Sequence, residues 1–163
     1  MNYQELPMGT AEVFNVVIEI PRGSQNKYEY LEKFETFILE RVFKDGFNFI
    51  ADYGFIPQTK SGDGDPLDSF VITSHPLTRG TVVSCQAIAM IELLDDGEQY
   101  NKIISVPCFG DGVLSEEVID DEFKKRFTDF FAELAKQKNK TMEIVAWHGA
   151  IRAKGEINKS KIK

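Results

Sequence analysis

Two hydrophobic rhythms divide the chain. From residue 13 to about residue 106, apolar positions come in short β-branched and aromatic runs broken by Gly, Pro and Asp, whereas beyond residue 120 they recur at helical spacing. The run Val13-Phe14-Asn15-Val16-Val17-Ile18-Glu19-Ile20 stops at Pro21-Arg22-Gly23 and predicts a strand followed by a turn. Its acid, Glu19, shares a strand face with Val13, Asn15 and Val17, either pointing into a cleft or facing solvent at a rim. Segments 27–30 and 34–43 predict two further strands of a meander or small barrel, with Lys27 and Glu29 on one face. Arg41 interrupts the second of these, as an outward-facing charge or an anion hook directed inward. Segment 47–57 is aromatic and turn-rich. A short strand over 69–73, a turn at His75-Pro76 and a long β-rich stretch over 81–94 follow, and the acidic turn Asp95-Asp96-Gly97-Glu98 joins the last of these to 101–106 as a hairpin. The period then changes: Phe123, Phe127, Phe130, Phe131 and Leu134, preceded by Asp120, Asp121 and Glu122, predict a helix over 121–138 with an aromatic face for the core. A strand over 142–147 and a basic helix over 149–162 complete an α+β, mainly β chain.

Composition narrows this to one domain spanning 1–163. Its 163 residues suffice to bury a core without staples, and 42% hydrophobic residues with 13 Phe make that core phenylalanine-rich. A net charge of −7 argues against nucleic acid and anionic membranes as partners. No apolar run approaches the roughly 20 residues of a membrane span, and the N-terminus lacks the layout of a signal peptide. Cys85 and Cys108, without CxxC spacing, read as a reduced pair. A cytoplasmic protein is expected.

The chemistry centres on Ser61-Gly62-Asp63-Gly64-Asp65-Pro66-Leu67-Asp68. Its glycines permit tight backbone geometry, and Pro66 stiffens the chain around three closely spaced carboxylates. Such acids repel one another unless a cation sits among them, and hard oxygen donors favour magnesium, manganese or calcium. An EF-hand is excluded, because Leu67, Asp68 and Ser74 stand where an acid or Asn, a Gly and a Glu would be required. There is no GxxxxGK[ST] loop and no GxSxG elbow, and His75 and His148 read as structural. Pooling the chain gives an acid set of Glu19, Glu29, Asp63, Asp65, Asp68 and Asp95 and a basic set of Lys27, Arg41 and Lys102. Acids for divalent ions and bases for an oxyanion together suit hydrolysis of a phosphoric anhydride.

Asp63-Gly64-Asp65-Pro66-Leu67-Asp68 is similar to the D-x-D-P-x-D signature of the soluble family I inorganic pyrophosphatases. Glu19-Ile20-Pro21, Lys27-Tyr28-Glu29, Arg41, Tyr53-Gly54-Phe55-Ile56, Asp95 with Gly97-Glu98, Lys102 and Trp147 match family features in order, covering most of residues 13–155. The resemblance implies a small closed OB-like β-barrel flanked by two helices, a homo-oligomer (for chains this short a hexamer), and several Mg²⁺ ions with pyrophosphate as substrate. It implies Asp63, Asp68 and Asp95 as metal ligands, with Glu19 and Glu29 binding further metal or its waters. Asp65 is implied as general base, Tyr53 as a hydrogen-bonding partner within the site, and Lys27, Arg41 and Lys102 as phosphate holders. Four positions depart from the family pattern. Its second acid of the Asp95 hairpin falls on Tyr100, a tyrosine on Phe49, and a helical Tyr-Lys pair on Leu134-Ala135. Glu98 or Asp96 could replace the acid, and Lys136, Lys138 or Lys140 the lysine, only if the helix end is rearranged. The alternative is a repurposed member that binds metal and a phosphate-containing ligand without catalysis, or serves in an assembly.

Overall fold

Strand β1 (Phe14–Ile20) is buried along nearly its whole length because it has a neighbour on each edge. It pairs antiparallel with β4 (Asp52–Phe55) on one side and with β6 (Val82–Asp95) on the other. The computed structural model describes residues 1–109 and 115–163. β4 continues antiparallel to β5 (Asp68–Val71), β5 runs parallel to β7 (Glu98–Pro107), and β7 returns antiparallel to β6. The order β1-β4-β5-β7-β6 therefore closes on itself through the β1–β6 pairing, giving the expected OB-like barrel of five strands. β8 (Met142–Gly149) adds to the far half of β6, beyond the irregularity between Ala87 and Ala89.

β2 (Asn26–Leu31) and β3 (Thr36–Val42) form a hairpin apart from the barrel, rather than two of its staves. The second strand starts later than its apolar pattern predicts. Glu32–Phe34 makes a 3₁₀ turn closed by Glu35 in the left-handed region (φ 48°), which leaves Phe34 exposed. In the aromatic segment 47–57, β4 is only four residues long, and Gly54 explains its fit. A Cβ there would lie 1.9 Å from the carbonyl oxygen of Val17, so only glycine lets β4 approach β1.

Helix α1 spans Asp121–Lys138, as its periodicity predicts, with the Asp120 carboxylate accepting from the Phe123 amide as N-cap. Its buried face, Phe127, Phe130, Phe131 and Leu134, packs on Phe70 and Leu93 of the barrel and on Phe43 and Phe49 of the segment that leads into β4. Phe70 is the hub, with ring centroids 4.8–5.9 Å from those of Tyr53, Phe127, Phe130 and Phe131. Helix α2 (Ala150–Ser160) covers a second cluster with Ala153 and Ile157 against residues including Val16, Ile18 and Ile103. The tail after α2 clips onto the segment entering the acidic loop, where the Lys60 amide donates to Ser160 and the Ile162 amide to Gln58.

Candidate active site

A cavity of about 340 Å³ opens beside β1, β2 and the acidic loop. The loop is held at both ends by Thr59, whose hydroxyl donates to the Ile56 carbonyl (2.6 Å) and accepts from the Leu67 amide (2.9 Å). Within it, the Ser61 amide donates to Asp65 O and the Gly64 amide to Ser61 O, and Gly64 takes φ +90°. One oxygen of Asp63 accepts from the Asp65 amide and from the Ser61 hydroxyl, turning Asp63 into a brace for the loop as well as a wall of the cavity. Asp65 projects into the cavity, and its carboxyl is raised above the ordinary range by partial burial and then by the charges of Asp63 and Asp68.

The barrel places the remaining acids by register. Asp68 opens β5 and stands opposite Lys102 of the parallel strand β7, and the Lys102 ammonium donates to Asp68 (2.5 Å) and to the Tyr53 hydroxyl (3.0 Å). Burial alone would lower the Lys102 pKa, but Asp68 and Tyr53 raise it, while burial followed by the Asp68 charge raises that of Tyr53. Both groups stay protonated. Glu19 sits where the β1–β4 register slips between Ile18 and Ile20, a bulge that re-aims a side chain. Its carboxylate points inward and accepts from the Tyr30 amide (2.8 Å), and burial pushes it up to about 8. Asp95 ends β6 at the two-residue turn Asp96-Gly97, both with positive φ, the backbone sense that suits a tight hairpin. Glu29 lines the cavity from β2.

Lys27, Lys102 and Lys138 supply the cavity's ammonium groups, and Lys27 pairs with Glu40 (2.9 Å). Arg41 is the one residue of the sequence-derived set that does not line it: its guanidinium donates to the Gln137 carbonyl (2.8 Å) in the last turn of α1. Of the three lysines offered in place of the helical one, Lys138 is the one on the cavity wall, with α1 running regularly to that residue and no rearrangement of its end. The Asp52 carboxylate, which the sequence does not single out, is fully buried, and accepts from the amides of Arg22 and Leu77 and the Thr73 hydroxyl, a structural knot behind the site.

The departures resolve individually. Leu134 and Ala135 are buried, with Leu134 forming apolar wall. Tyr100 lines the cavity, and its hydroxyl donates to Glu98 (2.8 Å), while Asp96 is turned away to the amide and hydroxyl of Thr141. Lys140 caps Asp95 at 2.8 Å, and Lys136 lies at the exposed surface 3.9 Å from Glu133.

The donor set fits divalent cations in chemistry: Glu19, Glu29, Asp63, Asp65, Asp68 and Asp95 present hard carboxylate oxygens to one space. Among the described residues, no three of them converge as a finished coordination cage. Instead, lysine ammonium groups sit on Asp68 and Asp95, showing that both carboxylates attract positive charge.

The family model for inorganic pyrophosphatase matches residues 16–163. An inorganic pyrophosphatase of Picrophilus torridus is 36% identical over 149 residues, covering 89% of this chain and 84% of the relative. One of Synechocystis is 38% identical over 140 residues, covering 84% and 83%. The crystal structure of inorganic pyrophosphatase from Thermus thermophilus superposes with a TM-score of 0.90 at 32% identity, covering 98% of this chain and 97% of that one. With matches of that extent and a barrel closed in the expected way, the chain belongs to the inorganic pyrophosphatase family.

Proposed function

We propose that the chain is a cytoplasmic, magnesium-dependent enzyme that hydrolyses inorganic pyrophosphate to two phosphates. The observation that carries this reading is the single cavity in which carboxylates of the acidic loop and the barrel face Lys27 and Lys102. Asp63, Asp68 and Asp95 would hold magnesium, with Glu19 and Glu29 reaching further ions or their waters. Magnesium bound there supplies neutralisation of phosphate oxygens and acidification of a water.

Asp65 accepts the proton of the attacking water, since it lies between Asp63 and Asp68 with its carboxylate free toward the cavity. As the water oxygen bonds to one phosphorus, the bridging P–O bond breaks and its electron pair leaves on the second phosphate. Lys27 and Lys102 offset that charge, and the Tyr53 hydroxyl fixes the Lys102 ammonium. Arg41, through the Gln137 carbonyl, steadies the α1 end. A homo-oligomer, with a hexamer as its expected form, is supported by apolar side chains left at the surface, Ile151 on α2 and Val145 on β8. No helix among the described residues is long and apolar enough to cross a membrane.

Phosphate release from pyrophosphate with Mg²⁺, beside the Asp65→Asn variant, tests the reading. Robust release by the parent and its loss in the variant are expected. Background release by the parent, or full release by the variant, overturns it.

A further inference from the structure

Among the described residues, two of the three lysines that line the cavity already hold a carboxylate, as does Lys140 on Asp95. Lys27 is 2.9 Å from Glu40, Lys102 is 2.5 Å from Asp68, and Lys140 is 2.8 Å from Asp95. Lys138 lines the same cavity, yet among the described residues it forms no salt bridge. It belongs to the last turn of α1, one turn after Leu134, and residues four apart share a helix face. The chain leaves the helix immediately afterwards through Asn139 in the left-handed conformation (φ 52°), with the Lys140 amide returned to the Ala135 carbonyl. That tight cap, with Arg41 on the Gln137 carbonyl and the Gln137 side chain bonded to Lys44 on both sides of its amide, fixes the helix end from which Lys138 projects.

We propose that Lys138 is a substrate-binding residue, receiving a phosphate oxyanion between itself and Lys27 in the cavity that the acidic loop also lines. The proposal deepens the hydrolytic reading and rests on it for the identity of the anion. Glu40 and Asp95 act on the Lys138 ammonium only from beyond salt-bridge distance, and a half-buried ammonium with no carboxylate in direct contact is costly unless a ligand supplies one. Burial first, then the nearby charges of Lys27 and Lys140, hold the Lys138 pKa down at about 8 against the opposing pull of Glu40 and Asp95. Neither neighbouring lysine of the segment can substitute: Lys136 faces solvent near Glu133, and Lys140 is committed to Asp95.

The test compares the parent, Lys138→Met, Lys138→Arg and the surface control Lys136→Ala. Two readouts are taken: kcat/KM for pyrophosphate, and calorimetric affinity for the non-hydrolysable analogue imidodiphosphate, both with Mg²⁺. Lys138→Met is expected to lower both about 10- to 100-fold, the scale of one lost charge contact in an active site. Lys138→Arg should recover most of the loss, and Lys136→Ala should match the parent. Thermal unfolding confirms that each variant is folded. If Lys138→Met stays within about twofold of a parent that hydrolyses pyrophosphate, the proposal is overturned while the hydrolytic reading stands. If the parent does not hydrolyse pyrophosphate but Lys138→Met still weakens the analogue, the anion site stands and the hydrolytic reading falls.

Discussion

The acidic and the basic walls of the cavity are built in different ways. Asp68, Glu19 and Asp95 are placed by barrel backbone: a parallel register opposite Lys102, a bulge in β1 and the end of a hairpin strand. Asp63 and Asp65 sit in a loop clamped by Thr59 and Ser61. Lys102 shares the barrel register with Asp68, but Lys27 and Lys138 arrive from β2 and the last turn of α1, outside the barrel, on flexible stems long enough to cross several ångströms. A short carboxylate has to be delivered by its backbone, whereas a lysine needs only an origin within reach. That contrast explains why the acids form a recognisable local signature, while the basic residues are scattered along the chain.

The comparison can be broken or sharpened experimentally. The largest effect is expected at the rigid wall. Asp68→Asn should lower the rate of phosphate release about 10²- to 10³-fold, because the carboxylate both faces the cavity and orients Lys102; retention of a tenth of the activity would show that backbone placement matters less than argued. Next comes the joint between the walls. Phe70 of β5 carries α1 through Phe127, Phe130 and Phe131, so Phe70→Ala should destabilise the protein by about 3–5 kcal/mol in urea unfolding, and a loss under about 1 kcal/mol would uncouple the walls.

A third effect concerns Glu19 and proton linkage. Its carboxyl is raised from an ordinary 4.5 to about 8 in the metal-free protein, so the unfolded chain gives up the proton first as pH rises. Its contribution is intact below pH 4.5 and is lost progressively up to pH 8. Thermal unfolding in EDTA should therefore show the midpoint falling between pH 5 and 8, at a rate bounded by about 1.4 kcal/mol per pH unit. Glu19→Gln should flatten that slope, and Mg²⁺ should reverse it; an unchanged slope in the variant would assign the titration elsewhere. The smallest effect is expected at Tyr100, whose hydroxyl only meets Glu98 at the cavity edge. Tyr100→Phe should keep kcat/KM within about twofold, as surface changes usually do.

How far the sequence could be read follows the same division. α1 was legible because an aspartate cap and five apolar residues at helical spacing agree, and the hairpin because Asp96-Gly97 separates two β-like runs. Every acid that the signature nominated lines the one cavity. The basic side was legible only in part: Lys27 and Lys102 meet the acids, but Arg41 bonds the end of α1, and of Lys136, Lys138 and Lys140 the sequence cannot say which turns to the cavity, because tertiary packing aims a helix end. Strand β4 was hidden inside an aromatic, turn-rich stretch because its identity depends on Gly54 approaching Val17, a contact between segments far apart in sequence. The detachment of β2 and β3 from the barrel was also invisible, since strand pairing is not written in strand propensity.

Closure of the barrel by β1 against β6 has a kinetic consequence. The pairing joins residues 14–17 to 82–85, so it forms only after a long loop has been brought together. Glu19 lies on one of the closing strands and Asp95 at the end of the other, with Asp68 on the arc between them. Ions that need those acids together therefore meet their full set after the slow step of folding. Saturating divalent ion should leave the refolding rate nearly unchanged and act almost entirely by slowing escape from the folded state.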